Sequence, residues 1–426
     1  MNSLAMKILF PYFLLVSIFT ISSVYGVDNW TGWLGPNRDG RVTGFQEPDK
    51  WPKELERKWI QKVGSGYATP LIIADKIYIH SRIKDSEYLS CLNLQSGKLI
   101  WRKGEVVPFT MGSGGESHGK GPKSNPIYSD GKIFTFSISG CLSARDASNG
   151  RLLWQKKYGK KLKKPHPFWG ATTSPVVSGR NVFVHFGSCD DGILCSFNAR
   201  SGEELWTKSG DGACYSSPLA VELFGVPQLV EWNHRALVGV EIKSGKTLWE
   251  FPFPHRGQNQ NMPTPAYYEG RFFLGGENRG LKCVRPILVD GQWTVNEEWF
   301  QRRAPLDMSS PIISNGLLYG LSHYDRGHLF CLDTSTGEIL WKGPPRTGSH
   351  ATFLSTPNHI ISLLGHGELR VLSSTSEGYA LKANYKVSDK PTWTAPVLLD
   401  DGILIKDVDS LSYWKFPKAS LPNQIN

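Results

Sequence analysis

Eight residues with chemistry to offer recur at one place in a repeated pattern. Three positions ahead of the proline in successive small-residue–proline pairs stand Tyr67, Lys123, Thr172, Tyr215, Met262, Met308 and Trp393. His350 holds the corresponding place in a weaker unit. Aromatic faces and thioethers joined by one ammonium and one imidazole could hold a planar, anionic ligand through stacking and charge. His118 and Lys120 lie just before Lys123, and Trp169 just before Thr172. The candidate ligand-binding set is therefore Tyr67, His118, Lys120, Lys123, Trp169, Tyr215, Met308, His350 and Trp393. The set contains no Asp or Glu, so it offers no evident general base, and no catalytic residue is assigned. The competing expectation is a closed, hydrated plug at the same place, with no ligand.

Other chemical motifs reduce to turn chemistry. Gly115-Glu116-Ser117-His118-Gly119 matches G-x-S-x-G, but a nucleophile elbow needs a strand-turn-helix of an α/β sheet, and this is a glycine-rich loop. Asp190-Asp191-Gly192 and Asp400-Asp401-Gly402 read as turns before strands rather than as metal ligands. Seven cysteines include no vicinal pair, no haem-attachment motif and no zinc spacing, so no metal site is expected. Cys189 and Cys195 could close a hairpin disulfide or stand unpaired on strands.

A repeat positions the candidate ring. Each unit opens on one of the pairs Thr69-Pro70, Asn125-Pro126, Ser174-Pro175, Ser217-Pro218, Thr264-Pro265, Ser310-Pro311 and Ala395-Pro396. A β-rich run follows, and the unit closes on Trp101, Trp154, Trp206, Trp249, Trp299 or Trp341. These tryptophans lie 42 to 53 residues apart, the length of a four-stranded propeller blade. A degenerate seventh unit runs from His350 to Tyr385, and an eighth stops near Phe416, one strand short. The orphan strand Leu55–Ile60 upstream supplies the missing strand and closes the ring. The expected fold is thus an all-β, eight-bladed β-propeller of four-stranded repeats, closed by an N-terminal strand.

Five units carry glycine four positions before tryptophan: Gly97 and Trp101, Gly150 and Trp154, Gly202 and Trp206, Gly245 and Trp249, Gly337 and Trp341. Asn93, Asp146, Asn198, Glu241 and Asp333 precede these glycines by four, placed to cap the turn. Ten positions before each tryptophan stands a small residue (Cys91, Ala144, Ser196, Gly239 or Cys331), where packing leaves little room. This turn resembles the tryptophan-docking motif A-x-D-x-x-T-G-x-x-x-W of pyrroloquinoline-quinone-type (PQQ-type) repeat propellers, most closely at Cys331 to Trp341. The resemblance covers roughly residues 30–416. Trp33 to Gly40, Glu116 to Lys120 and Asp389 to Pro396 further resemble exported PQQ-like repeat proteins of planctomycete type.

Two better-known relatives of such repeats are the quinoprotein alcohol dehydrogenases and the BamB-like assembly-factor propellers. The first would imply PQQ with calcium as cofactor; the second implies a non-catalytic scaffold. The chain lacks the vicinal cysteines and the recognisable calcium-ligand set of the first, and the lipid-anchor cysteine of the second. The leading expectation is a non-catalytic exported protein that binds a protein or glycan partner, with no cofactor. The alternative is a short, divergent PQQ- and calcium-dependent alcohol or sugar dehydrogenase; a polysaccharide-active enzyme is a third class.

Residues 1–26 read as a cleaved signal peptide, from Lys7, the apolar run Ile8 to Val24 and the small residues near Gly26. A periplasmic or secreted location without a lipobox follows, and no later apolar run is long enough to span a membrane. Residues 27–54 form an N-terminal extension, 55–417 the propeller and 418–426 a tail. The net charge of +10 gathers partly in Lys156 to Lys164, a basic loop that either is merely solvated or touches an anionic surface. Nucleic acid is not an expected partner of an exported chain.

Overall fold

The computed structural model describes residues 29–112, 115–255 and 261–417. The signal-peptide and tail assignments fall outside the described residues. Among those described, eight four-stranded antiparallel sheets form an eight-bladed propeller. The first blade shows the plan: Leu71–Ile73 innermost, then Lys76–Ile83, Ser86–Asn93 and, outermost, Leu99–Val106. Blades two to seven occupy residues 127–157, 176–210, 219–252, 266–301, 312–342 and 351–386.

Local chemistry explains each blade. The innermost hairpins turn on pairs such as Asp130-Gly131 and Asn315-Gly316, both residues with positive φ, as a two-residue hairpin requires. The second and third strands are buried on both faces, whereas the outermost strand is largely half-buried or exposed. The core therefore lies between neighbouring sheets. Phe134, Phe136 and Leu142 of the second blade, for example, pack with Val184, Phe186 and Phe197 of the third.

The eighth blade is closed by the N-terminal strand as expected. Its sheet runs Val397–Leu399, Gly402–Lys406, Ser410–Lys415 and then Glu56–Lys62, which pairs antiparallel with Ser410–Lys415. Trp59 on this strand lies against Gly97 of the first blade and donates from Nε1 to the Leu94 carbonyl at 3.1 Å.

The same contact repeats around the ring. Trp101, Trp154, Trp206 and Trp299 lie against Gly150, Gly202, Gly245 and Gly337, each in the next blade. The five glycines have φ between +66° and +77°, and each donates its N–H back to the residue four before it. In the same blade, the small residue ten before tryptophan is its direct cross-strand partner, as in Cys91 with Trp101 and Gly239 with Trp249. A Cβ on Gly239 would meet the Trp249 indole at 2.2 Å, so the tight space comes from the blade's own tryptophan.

Two tryptophans depart from the regular pattern. The fifth blade has no glycine turn of this kind, because its outer hairpin, Gly280–Val289 with Gln292–Gln301, is longer. Trp249 accordingly donates to Gln228 Oε1 at 2.7 Å, within its own blade. Trp341 reaches the Thr375 carbonyl of the seventh blade at 2.9 Å without a glycine beneath it.

Of three finer readings, only that of the basic loop needs correction. Cys189 and Cys195 are both free, as are the other cysteines; Cys195 is buried in a strand facing Val184 and Thr207. Lys156 and Lys157 belong to the outermost strand of the second blade rather than to a loop. The segment after them is anchored by the buried Tyr158 and Leu162, so it is not simply solvated. Gly115 to Gly119 holds a one-turn 3₁₀ helix over Glu116–His118, without an elbow.

Candidate ligand site at the channel mouth

The small-residue–proline anchors build the mouth through a run of hydrogen bonds that links six of them. Thr69 N–H donates to Asn125 Oδ1 (2.8 Å), Asn125 to Ser174 Oγ (3.0 Å), and Ser174 to Ser217 Oγ (3.0 Å). Ser217 then donates to Thr264 Oγ1 and Thr264 to Ser310 Oγ, each at 2.9 Å. Each of these five anchors thus gives its backbone donor to the next anchor's side chain. The proline that follows lacks an N–H and leaves no orphan donor on the channel side. The polar identity of these anchors was the readable signal. Ala395 has no oxygen to continue the chain.

Inside this ring lies a cavity of about 230 Å³. Tyr67, His118, Lys123, Trp169, Thr172, Tyr215, Met262, Met308, His350 and Trp393 all line it. Lys120 does not: it is exposed, and its carbonyl accepts from Arg82 instead. Lys120 sits on the same irregular loop as Lys123 but outside the repeat register, so no period says which way its side chain turns.

Two aromatic groups face the cavity. Trp393 is stacked by His350 (4.8 Å, 16°), met edge-on by His118 (4.6 Å, 72°) and flanked by Tyr67 at 6.0 Å. Trp169 stacks on Tyr215 at 5.5 Å and 19°, and its backbone N–H donates to the Tyr215 hydroxyl at 3.0 Å. Lys123 Nζ donates to the carbonyls of Gly119 (3.1 Å) and Trp169 (3.5 Å), which leaves one ammonium proton uncommitted.

Burial sets the charge of the wall. It pushes the His350 imidazole down to about 4, and His118 is lowered by burial and by Lys123. Both rings are neutral at pH 7. Lys123 is brought down by burial to about 8 and remains mostly protonated there. Among the described residues the wall is therefore apolar and hydrogen-bonding, with one cation.

The far side of the cavity is a floor that the sequence did not reveal. Trp33 and Leu34 of the N-terminal extension line this cavity and a second one of about 630 Å³. The extension is tied across that end of the ring. Trp30 exchanges backbone bonds with Ile72, and Arg38 reaches the carbonyls of Pro175 and Pro218 at 3.2 and 3.4 Å. Val42 then pairs with Ser355 of the seventh blade.

One carboxyl neighbours the ring in sequence. Asp307, next to Met308, is pushed up to about 6 by burial and by the nearby Glu277. A raised carboxyl favours folding below its unfolded value and loses that contribution as pH rises through the folded one. Asp307→Asn should therefore be more stable than the parent at pH 8, by on the order of 1 kcal/mol, and similar at pH 4. Urea titrations at the two pH values check this; a variant weaker at both would contradict it.

The profile of a family described as outer membrane protein assembly factor BamB matches residues 85–343. The chain belongs to this BamB family. BamB of Yersinia pestis is 23% identical over 297 residues, spanning 68% of this chain and 72% of that protein. Among solved structures, BamB from Moraxella catarrhalis superposes with a TM-score of 0.58 at 14% identity, over 85% of this chain and 100% of that one. A europium-containing methanol dehydrogenase superposes with a TM-score of 0.68 at 11% identity, over 90% and 98%. The two structural likenesses establish the propeller and nothing further.

Proposed function

We propose that this member of the BamB family is a non-catalytic binding propeller in the periplasm or outside the cell, and that its main partner is a protein. One observation supports this reading above others. The outermost strands expose large apolar side chains in six blades: Ile60, Leu99 and Ile100, Leu152, Leu205, Phe300 and Leu381. These strands also present unpaired backbone edges, the combination a partner chain can cover. The relatives' description as outer membrane protein assembly factors agrees with a protein partner.

The dehydrogenase reading fits the site poorly. PQQ is a planar tricarboxylate, and calcium takes six to eight oxygen ligands, usually including carboxylates. Among the described residues, the cavity wall offers one ammonium and no carboxylate, and no cluster of three metal-ligating side chains occurs. No redox step is assigned to these residues.

Photo-crosslinking residues placed at Ile100 and Leu205 test the proposal in cells that make the protein. A discrete crosslinked protein at the outer-strand positions, absent with the residue at Tyr215, is expected. Crosslinking confined to Tyr215 would overturn it.

A further inference from the structure

We propose that the channel mouth binds the ring of an acidic sugar, with the carboxylate on Lys123 and the sugar hydroxyls on polar atoms around the mouth. The site is separate from the outer-strand surface and does not depend on it. Three observations converge. The first is size: about 230 Å³ lies below the ~300–1,000 Å³ of pockets for drug-sized ligands, which suits a single ring. Trp33 and Leu34 form its floor, so the ligand enters from the mouth.

The second is unspent hydrogen-bonding capacity. Buried polar atoms are almost always paired, and the exceptions call for an explanation. Six buried polar atoms without a partner belong to this one ring: Trp169 Nε1, His350 Nε2 and the hydroxyls of Thr69, Ser124, Thr352 and Thr394. Thr69, Trp169, His350 and Thr352 line the cavity, and Ser124 and Thr394 each follow a lining residue. An aromatic acid has few atoms to offer so many neutral donors and acceptors, whereas a polyhydroxylated ring has one at nearly every carbon. The tryptophan, tyrosine and histidine rings would meet its C–H groups.

The third is charge. Among the described residues Lys123 is the one cation of the wall, and it keeps one proton free for a ligand. Glu87 and His118 are the titratable groups acting on it, and His118 is itself held neutral by burial. Deprotonation of the free lysine near pH 8 implies that an acidic ligand binds more weakly as pH rises from 7 to 9. The net charge of +10 favours the approach of an anionic glycan.

Calorimetry on the purified protein with glucuronate, glucose and benzoate separates the contributions. Glucuronate should bind at least tenfold more tightly than either of the others, and Lys123→Met should reduce its affinity at least tenfold. Trp169→Phe, which keeps the ring and removes the N–H, should weaken glucuronate several-fold. Thermal melts confirm that each variant is folded, and Lys123→Arg, which restores the charge, should recover part of the loss. Benzoate equal to glucuronate would overturn the sugar assignment. No heat with glucuronate at ten millimolar in the folded parent would remove the site, leaving the unpaired atoms to ordered water.

Discussion

Replacing Glu56–Lys62 with a Gly-Ser segment of equal length should open the ring and lower the melting temperature by on the order of 5–10 °C. The strand pairs six residues with Ser410–Lys415, Glu56 against Lys415 through Lys62 against Ser410. Backbone hydrogen bonds are worth about 1 kcal/mol each, so the lost pairing alone amounts to about 5 kcal/mol. The Trp59 indole adds its packing on Gly97 and its bond to Leu94, which join the eighth blade to the first. Without the strand, the third strand of the eighth blade becomes an open edge that can pair with other chains. The melt should stay a single transition at the lower temperature and be accompanied by aggregation. An unchanged melt would show that the ring holds without this strand.

Gly337→Val should destabilise by about 3 kcal/mol, the larger of two glycine effects that separate backbone strain from packing. Gly337 has φ of +73°, and a Cβ there would stand 2.6 Å from the Trp299 indole. A left-handed conformation costs a non-glycine residue about 1–2 kcal/mol, and displacing the indole from its bond to Thr334 adds to that. Gly225 provides the comparison: its φ is +75°, but nothing lies within 4 Å of the added carbon. Gly225→Ala should therefore cost about 1 kcal/mol, the conformational part alone. Chemical denaturation of both variants measures the difference. Equal losses at the two sites would mean that the glycine turn supports no tryptophan.

The blade count and closure were legible because each rests on a local signal that recurs. Glycine four before tryptophan marks the outer turn, and the short last unit with an orphan strand marks the seam. Convergence of Tyr67, Lys123, Tyr215 and Trp393 on one cavity followed from the same register. The floor was not legible. Arg38 meets carbonyls 137 and 180 residues away in sequence, and no period along the chain encodes such a path. Trp59 was placed on the closing strand, but its glycine partner emerged only from the geometry, since it belongs to another repeat. The outward turn of Lys120 was equally unreadable, because it lies outside the repeat register on a loop without regular alternation.

Whether the mouth is a binding site or a redox centre is open to one assay. The purified protein is mixed with PQQ and Ca²⁺, titrated by calorimetry, and then assayed for dye reduction with alcohols and sugars. A wall whose described residues offer one ammonium and no carboxylate should bind the quinone weakly or not at all, and no substrate should reduce the dye. Stoichiometric PQQ uptake with substrate-dependent dye reduction, lost in Lys123→Met and Trp393→Ala, would contradict the non-catalytic reading.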